Sequence, residues 1–206
     1  MTDTAIARAE RRNQERKAIL KAAFGLIGRS RDEPVSVQQI LDSAGLSTRA
    51  FYRHFRSKDE LILTMCRTAG ERVAAETAGV ITAAPSPADA IEAWIRHQLS
   101  VVYDPRRARQ TSVLTSWEAR SAAGMDQLNQ EASAARRATL AAVIRSGRDD
   151  GSFPLVTDPD EDARAVTSVV SGLIAARLAG DDTPSWDAAT AHATQLFLRA
   201  FGSEKY

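Results

Sequence analysis

Between Arg49 and Lys58 the ten residues RAFYRHFRSK carry five groups that are or can become cationic, with Tyr52 among them. Guanidinium groups match guanine O6 and N7 with two parallel hydrogen bonds, and a phenol can donate to a phosphate oxygen. Phe51 and Phe55 are four residues apart and share one face of a helix, so Thr48, Arg49, Tyr52 and Arg53 point away from that face. A solvated helical hairpin would explain the phenylalanines. It would not explain so many cations around an aromatic hydroxyl.

No other set of residues offers comparable chemistry. His54, His97 and His192 fall on three different helical segments, and none pairs by spacing with a serine nucleophile or with Cys66 and carboxylates. There is no glycine-rich phosphate loop, and no cofactor or metal is expected. Acidic groups such as Asp149-Asp150, Asp158 to Asp162 and Asp181-Asp182 sit at helix junctions, where they oppose the N-terminal dipole. An all-α enzyme, or a helical interaction module without DNA binding, is the alternative reading. The one cysteine excludes an internal disulfide. No apolar run reaches the roughly 18 residues of a membrane span, and the charged start MTDTAIARAERRNQ lacks the apolar core of a signal peptide. A cytoplasmic protein without a membrane partner is expected.

The elements that position the cationic cluster are all helical. Apolar residues recur at helical spacing in every long segment, and none alternates long enough for a strand. Serine-led capping boxes occur at Ser36-Val-Gln-Gln39 and Ser57-Lys-Asp-Glu60. Pro87, Pro105, Pro159 and Pro184 follow Ser, Asp, Asp and Thr, the order of an N-cap and a first helical proline. About nine helices are predicted, over 9–29, 36–43, 47–54, 58–80, 87–103, 105–121, 124–149, 159–180 and 185–201. The second and third are joined only by Ala44-Gly45-Leu46-Ser47, which makes a helix-turn-helix. Residues 1–58 hold 12 Lys/Arg against 6 Asp/Glu, whereas 59–206 hold 15 against 20, so a net +6 head precedes a net −5 body. That asymmetry suits a chain with one end on phosphates.

The stretch AGLSTRAFYRHFRSKDEL resembles the signature of TetR-type transcriptional regulators, over about residues 14–65. The resemblance implies an all-α fold with a helix-turn-helix domain over 1–57 and a helical ligand-binding and dimerisation domain over 58–206. It places Thr48, Arg49 and Ala50 at base edges, with Ala50 meeting a thymine methyl. Tyr52, His54 and Lys58 fall on phosphates, Ser36 at a cap that also reaches the backbone, and Ser47 and Arg53 beside them. Arg49 departs from the small residue common in the family, which alters the operator sequence rather than the mode of binding. Arg8, Arg11 and Arg12 either reach the adjacent backbone or form a solvated face. The implied function is a ligand-responsive repressor that binds palindromic double-stranded operator DNA as a dimer and leaves it when a small, mostly apolar effector binds.

Two further expectations follow. Helices 159–180 and 185–201 would form the homodimer interface: Ala165, Gly172, Ala176 and Ala179 make a small-residue strip, and Trp186, Leu196, Phe197 and Phe201 add bulk. A small-molecule pocket is expected among helices 87–103, 105–121, 124–149 and 159–180, lined by Trp94, His97, Gln98, Val101, Trp117 and Met125, with Phe153 closing one end. Gln98 lies inside an apolar sector and would bond either a ligand or a neighbouring helix. Helix 58–80, running from the DNA-reading residues toward that pocket, would carry the response.

Overall fold

Side chains that recur every third or fourth residue produce ten helices and no strand among the described residues. The computed structural model describes residues 2–30 and 33–205, with side chains from Ala5 onward. The helices are α1 (Thr2–Ile27), α2 (Val37–Ala44), α3 (Thr48–His54), α4 (Lys58–Thr82), α5 (Pro87–Tyr103), α6 (Pro105–Leu114), α7 (Trp117–Ser121), α8 (Met125–Asp149), α9 (Pro159–Leu178) and α10 (Trp186–Ala200). None is long and apolar enough to cross a membrane.

Three local details differ from the sequence expectation. α1 starts seven residues early, because residues 2–8 contain neither glycine nor proline to stop it. The single helix expected over 105–121 is two. Ser116 adopts an extended conformation (φ −59°, ψ 163°) and its side chain accepts from the Ala119 N–H, which starts α7 afresh. At α10 the cap is Ser185, which accepts from Ala188 N–H, and not Thr183 before Pro184.

The chain divides into two compact units, and the division does not fall at 57/58. The first unit takes Met1–Ala69 and Ser112–Leu128; the second takes Gly70–Thr111 and Asn129–Tyr206. Ile19, Ala23 and Ile27 of α1 pack with Ile40, Leu41, Phe51, Phe55 and Leu61 to form the first core. Val113, Ala119, Ala122 and Met125 join that core, which is why the later segment belongs to this unit. Burying each phenylalanine contributes roughly 1.5–3 kcal/mol, enough to hold a helix as short as α3 in place.

The second core is centred on α5, whose Ile91, Trp94, Ile95 and Leu99 are buried with Leu140 and Ile144 of α8, Val166 and Val170 of α9, and Phe197 and Leu198 of α10. Phe153 and Phe201 meet with ring centroids 5.3 Å apart. A Cβ added at Gly147 would lie 2.2 Å from Phe153 Cδ2, so glycine there is what lets the ring in. Phe197 and Phe201 are thus spent inside the protomer's own core, and half-buried Trp186 packs against it and donates to the Arg96 carbonyl at 3.3 Å. Only Leu196 of the four bulky residues expected at a dimer interface stays exposed.

Candidate nucleic-acid interface

Ser36 opens α2 with both bonds of a capping box: Gln39 N–H donates to Ser36 Oγ at 3.2 Å, and Ser36 N–H donates to Gln39 Oε1 at 2.7 Å. α2 stops at Gly45, whose φ of +66° is left-handed and costs glycine least. Two residues later Ser47 caps α3, accepting from Ala50 N–H at 3.3 Å. The turn is tight because each end has a residue suited to it. The second box is shifted by one residue: Glu60 N–H donates to Ser57 Oγ at 3.1 Å, but Glu60 Oε2 accepts from Arg56 N–H at 2.6 Å.

α3 presents Thr48, Arg49, Tyr52 and Arg53 to solvent while Ala50 and Phe51 face the core. Tyr52 is 63% exposed. Its ring stands edge-on to Phe51 with centroids 5.4 Å apart. Ala50 is buried, so its methyl has no surface to offer a thymine. His54 is also turned inward: its side chain is 5% exposed and Nε2 lies 3.1 Å from Glu15 Oε2. That ring is committed to α1 and does not face a phosphate. Glu15 also pairs with Arg53 at 3.4 Å and with Arg11 at 3.4 Å. The hydrogen bond from His54, aided by the two guanidinium groups, holds the Glu15 carboxyl below the usual carboxylate range against the opposing effect of burial.

Lys58, the first residue of α4, lies 3.4 Å from Glu118 Oε1. The same oxygen accepts from Val35 N–H at 2.5 Å, just ahead of the Ser36 cap. Neither Glu15 nor Glu118 was marked by sequence. Each is tied to the helix-turn-helix by residues 38 or more positions away, a distance at which local spacing says nothing.

The seven residues expected to line a ligand pocket are not brought together in one unit. Trp117 and Met125 belong to the first unit, where Trp117 is 54% exposed and Met125 is buried in the core. Trp94, His97, Gln98, Val101 and Phe153 belong to the second. Phe153 is buried core, packed against Phe201 and over Gly147. Gln98 Nε2 donates to Thr77 Oγ1 at 3.3 Å, the neighbouring-helix bond that a buried glutamine needs. The half-buried Val101 offers its carbonyl to Thr111 Oγ1 at 2.8 Å. Trp94 Nε1 and His97 Nε2 are buried without a hydrogen-bond partner, and Glu76 Oε2 is 3.9 Å from the latter. Burial, then the nearby Arg107, holds His97 below the ordinary imidazole range, while Glu76 and the Val73 carbonyl oppose the shift. An open cavity of about 510 Å³ in this unit is lined instead by Ile81, Pro87, Ala90, Thr139, Val143 and neighbours, none of them among the seven. Among the described residues no three His, Cys, Asp or Glu side chains are grouped to hold a metal ion.

Residues 19–65, which include the whole helix-turn-helix, match the family described as bacterial regulatory proteins, tetR family. The chain carries the tetR-family regulatory domain. That family comprises transcriptional regulators and not enzymes. About nine-tenths of the chain is similar in fold to solved structures of low sequence identity. A transcriptional regulator from Rhodococcus sp. Rha1 superposes with a TM-score of 0.70 at 20% identity, over 92% of this chain and 97% of that one. The transcriptional regulator FadR from Bacillus subtilis, in complex with stearoyl-CoA, gives 0.73 at 14% identity over 89% and 98%. A complex of SmeT with triclosan gives 0.74 at 18% identity over 90% of each chain. The tetR-type all-α architecture, a helix-turn-helix domain followed by a larger helical part, is therefore the fold of this chain.

Proposed function

We propose that this tetR-type regulator is a cytoplasmic repressor that binds a palindromic operator as a homodimer and releases it when a small, mostly apolar effector binds. One observation carries the DNA reading: a capped, core-anchored α3 turns Thr48, Arg49, Tyr52 and Arg53 outward together. Arg49 is the base reader, Tyr52 and Arg53 the phosphate contacts, and Ser36, Ser47 and Lys58 fix the frame around them. Ala50 and His54 leave the proposed contact set, since both side chains are turned into the protein. In this reading the first unit reads DNA and the second answers to ligand and partner.

Dimerisation is supported by what α9 and α10 leave uncovered. α9 sends Val166 and Val170 into its own core, while Ala165, Val169, Gly172 and Ala176 stay exposed, as does Leu196 on α10. Small residues admit a partner helix closely, and Val169, Leu178 and Leu196 supply apolar area. Two copies are needed because one helix-turn-helix reads only a half-site. For the effector, the support is indirect: stearoyl-CoA and triclosan occupy similarly folded proteins. In the second unit Trp94 Nε1 and His97 Nε2 lack partners beside Gln98, so a mostly apolar ligand with one or two hydrogen-bonding groups would satisfy them. α4 has residues in both units, so a ligand that prefers one tilt of this helix would alter half-site spacing.

Enrichment of duplexes from a random pool, followed by sedimentation of the complex, tests the reading. Two protomers on one palindromic duplex are expected. No enrichment, or one protomer per duplex at micromolar protein, refutes it.

A further inference from the structure

Glu118 is an acid buried where an acid is costly: its side chain is 6% exposed. Burying a carboxylate requires a counter-charge and hydrogen bonds, and Glu118 has one of each. Lys58 supplies the charge at 3.4 Å, and the Val35 backbone supplies an N–H at 2.5 Å. These two partners bracket the helix-turn-helix. Val35 precedes the cap of α2, and Lys58 begins α4, directly after α3. Lys58 also stands at a helix N-terminus, where the peptide dipoles disfavour a cation and make an anionic partner more valuable. It remains 27% exposed, so its ammonium can be approached by a phosphate, for which the Glu118 charge competes.

We propose that Glu118 is a positioning residue for DNA reading that also sets its strength. Its carboxylate fixes the start of α2 through Val35 and restrains Lys58 against operator phosphate. The two roles use the same oxygen but different properties of it. Val35 needs only an acceptor, whereas Lys58 responds to the negative charge. Glu118 lies in the 112–128 segment of the first unit, and the chain on both sides of that segment belongs to the second unit.

The inference rests on the DNA-binding reading, and its test separates the two. Glu118→Gln keeps an oxygen for Val35 N–H and removes the charge that holds Lys58. Partly exposed ion pairs couple weakly, so freeing Lys58 should tighten binding about three-fold per half-site and roughly ten-fold for a dimer. The gain should be equal on operator and on unrelated duplex, because a phosphate contact carries no sequence information. It should disappear in a Lys58→Met background, where E118Q changes the dissociation constant less than two-fold. A residue with only a structural role would weaken binding when replaced, so the direction of change is diagnostic. Wild-type binding with E118Q unchanged or weaker overturns the inference alone; absence of wild-type binding to any duplex overturns the DNA reading and the inference with it. Hydrogen exchange on the unmodified protein supplies a measurement that needs no variant. The Val35 amide lies outside any helix and should exchange at least ten-fold more slowly than an unstructured amide. Fast exchange there removes Glu118 from the clamp.

Discussion

Arg49→Ala isolates base reading from every other part of the proposed interface. Arg49 is exposed in the first turn of α3, beyond the Ser47 cap and away from the Phe51–Phe55 face. Alanine is the best helix former, and an exposed substitution of this kind changes stability by within about 0.5 kcal/mol. A bidentate arginine–guanine pair is worth roughly 1–3 kcal/mol of discrimination, or about 5- to 150-fold for each half-site. In a symmetric dimer both half-sites lose it. The preference for operator over variants changed at the contacted position in both half-sites should therefore collapse by at least about 25-fold, while affinity for unrelated duplex falls little. Fluorescence anisotropy against operators carrying each base at each half-site position reads this directly. An equal loss of affinity on all sequences would make Arg49 a phosphate contact, and no loss at any position would remove it from recognition.

Tyr52→Phe should weaken operator and unrelated duplex alike, by about ten-fold per protomer for a lost hydrogen bond to a charged group, with the salt slope of binding unchanged. Its ring contact with Phe51 remains, so thermal unfolding should move by less than about 2 °C. Gly147→Ala puts a methyl against Phe153, and overpacking of roughly 1–3 kcal/mol should lower Tm by roughly 3–10 °C in calorimetry despite alanine's better helix propensity. His97 is held below the ordinary imidazole range. Its contribution to stability is complete above about pH 6.5 and is lost as pH falls through the lowered folded value, because the unfolded chain then binds the extra proton. The fall in Tm between pH 7 and pH 5 should be shallower in His97→Leu than in wild type, and parallel curves would refute the assignment. Burial pushes the Cys66 thiol up to about 11, so native protein at pH 7.5 should be alkylated by iodoacetamide far more slowly than a free thiol.

What the sequence made legible was local. The Ser36 box, the Gly45 stop, the Ser47 cap and the inward Phe51 and Phe55 each depend on residues within five positions, and all were readable from residue type and spacing. Resemblance assigns Ala50 and His54 a position, whereas burial is decided by packing, for His54 against Glu15 of α1, and both face inward. Glu15 reaches His54 across 39 residues and Glu118 reaches Val35 across 83, so no window of helical periodicity contains either pair. The expected pocket residues fall in two units for a related reason. Periodicity identifies an apolar face but not which core receives it: Met125 packs in the first core and Phe153 in the second, while Trp117 of the first unit stays exposed.

The salt dependence of operator binding by the full chain tests α3 as a DNA-reading surface most directly. With about four phosphates neutralised per protomer, by Arg53 and by further cations of the basic head, the slope of log affinity against log salt should lie near −7, from roughly 0.9 per phosphate. The exposed Arg53 and the net +6 of residues 1–58 require that steepness. A slope near zero on a duplex that the protein has itself enriched would contradict the assignment of α3 and its neighbours as a DNA-reading surface.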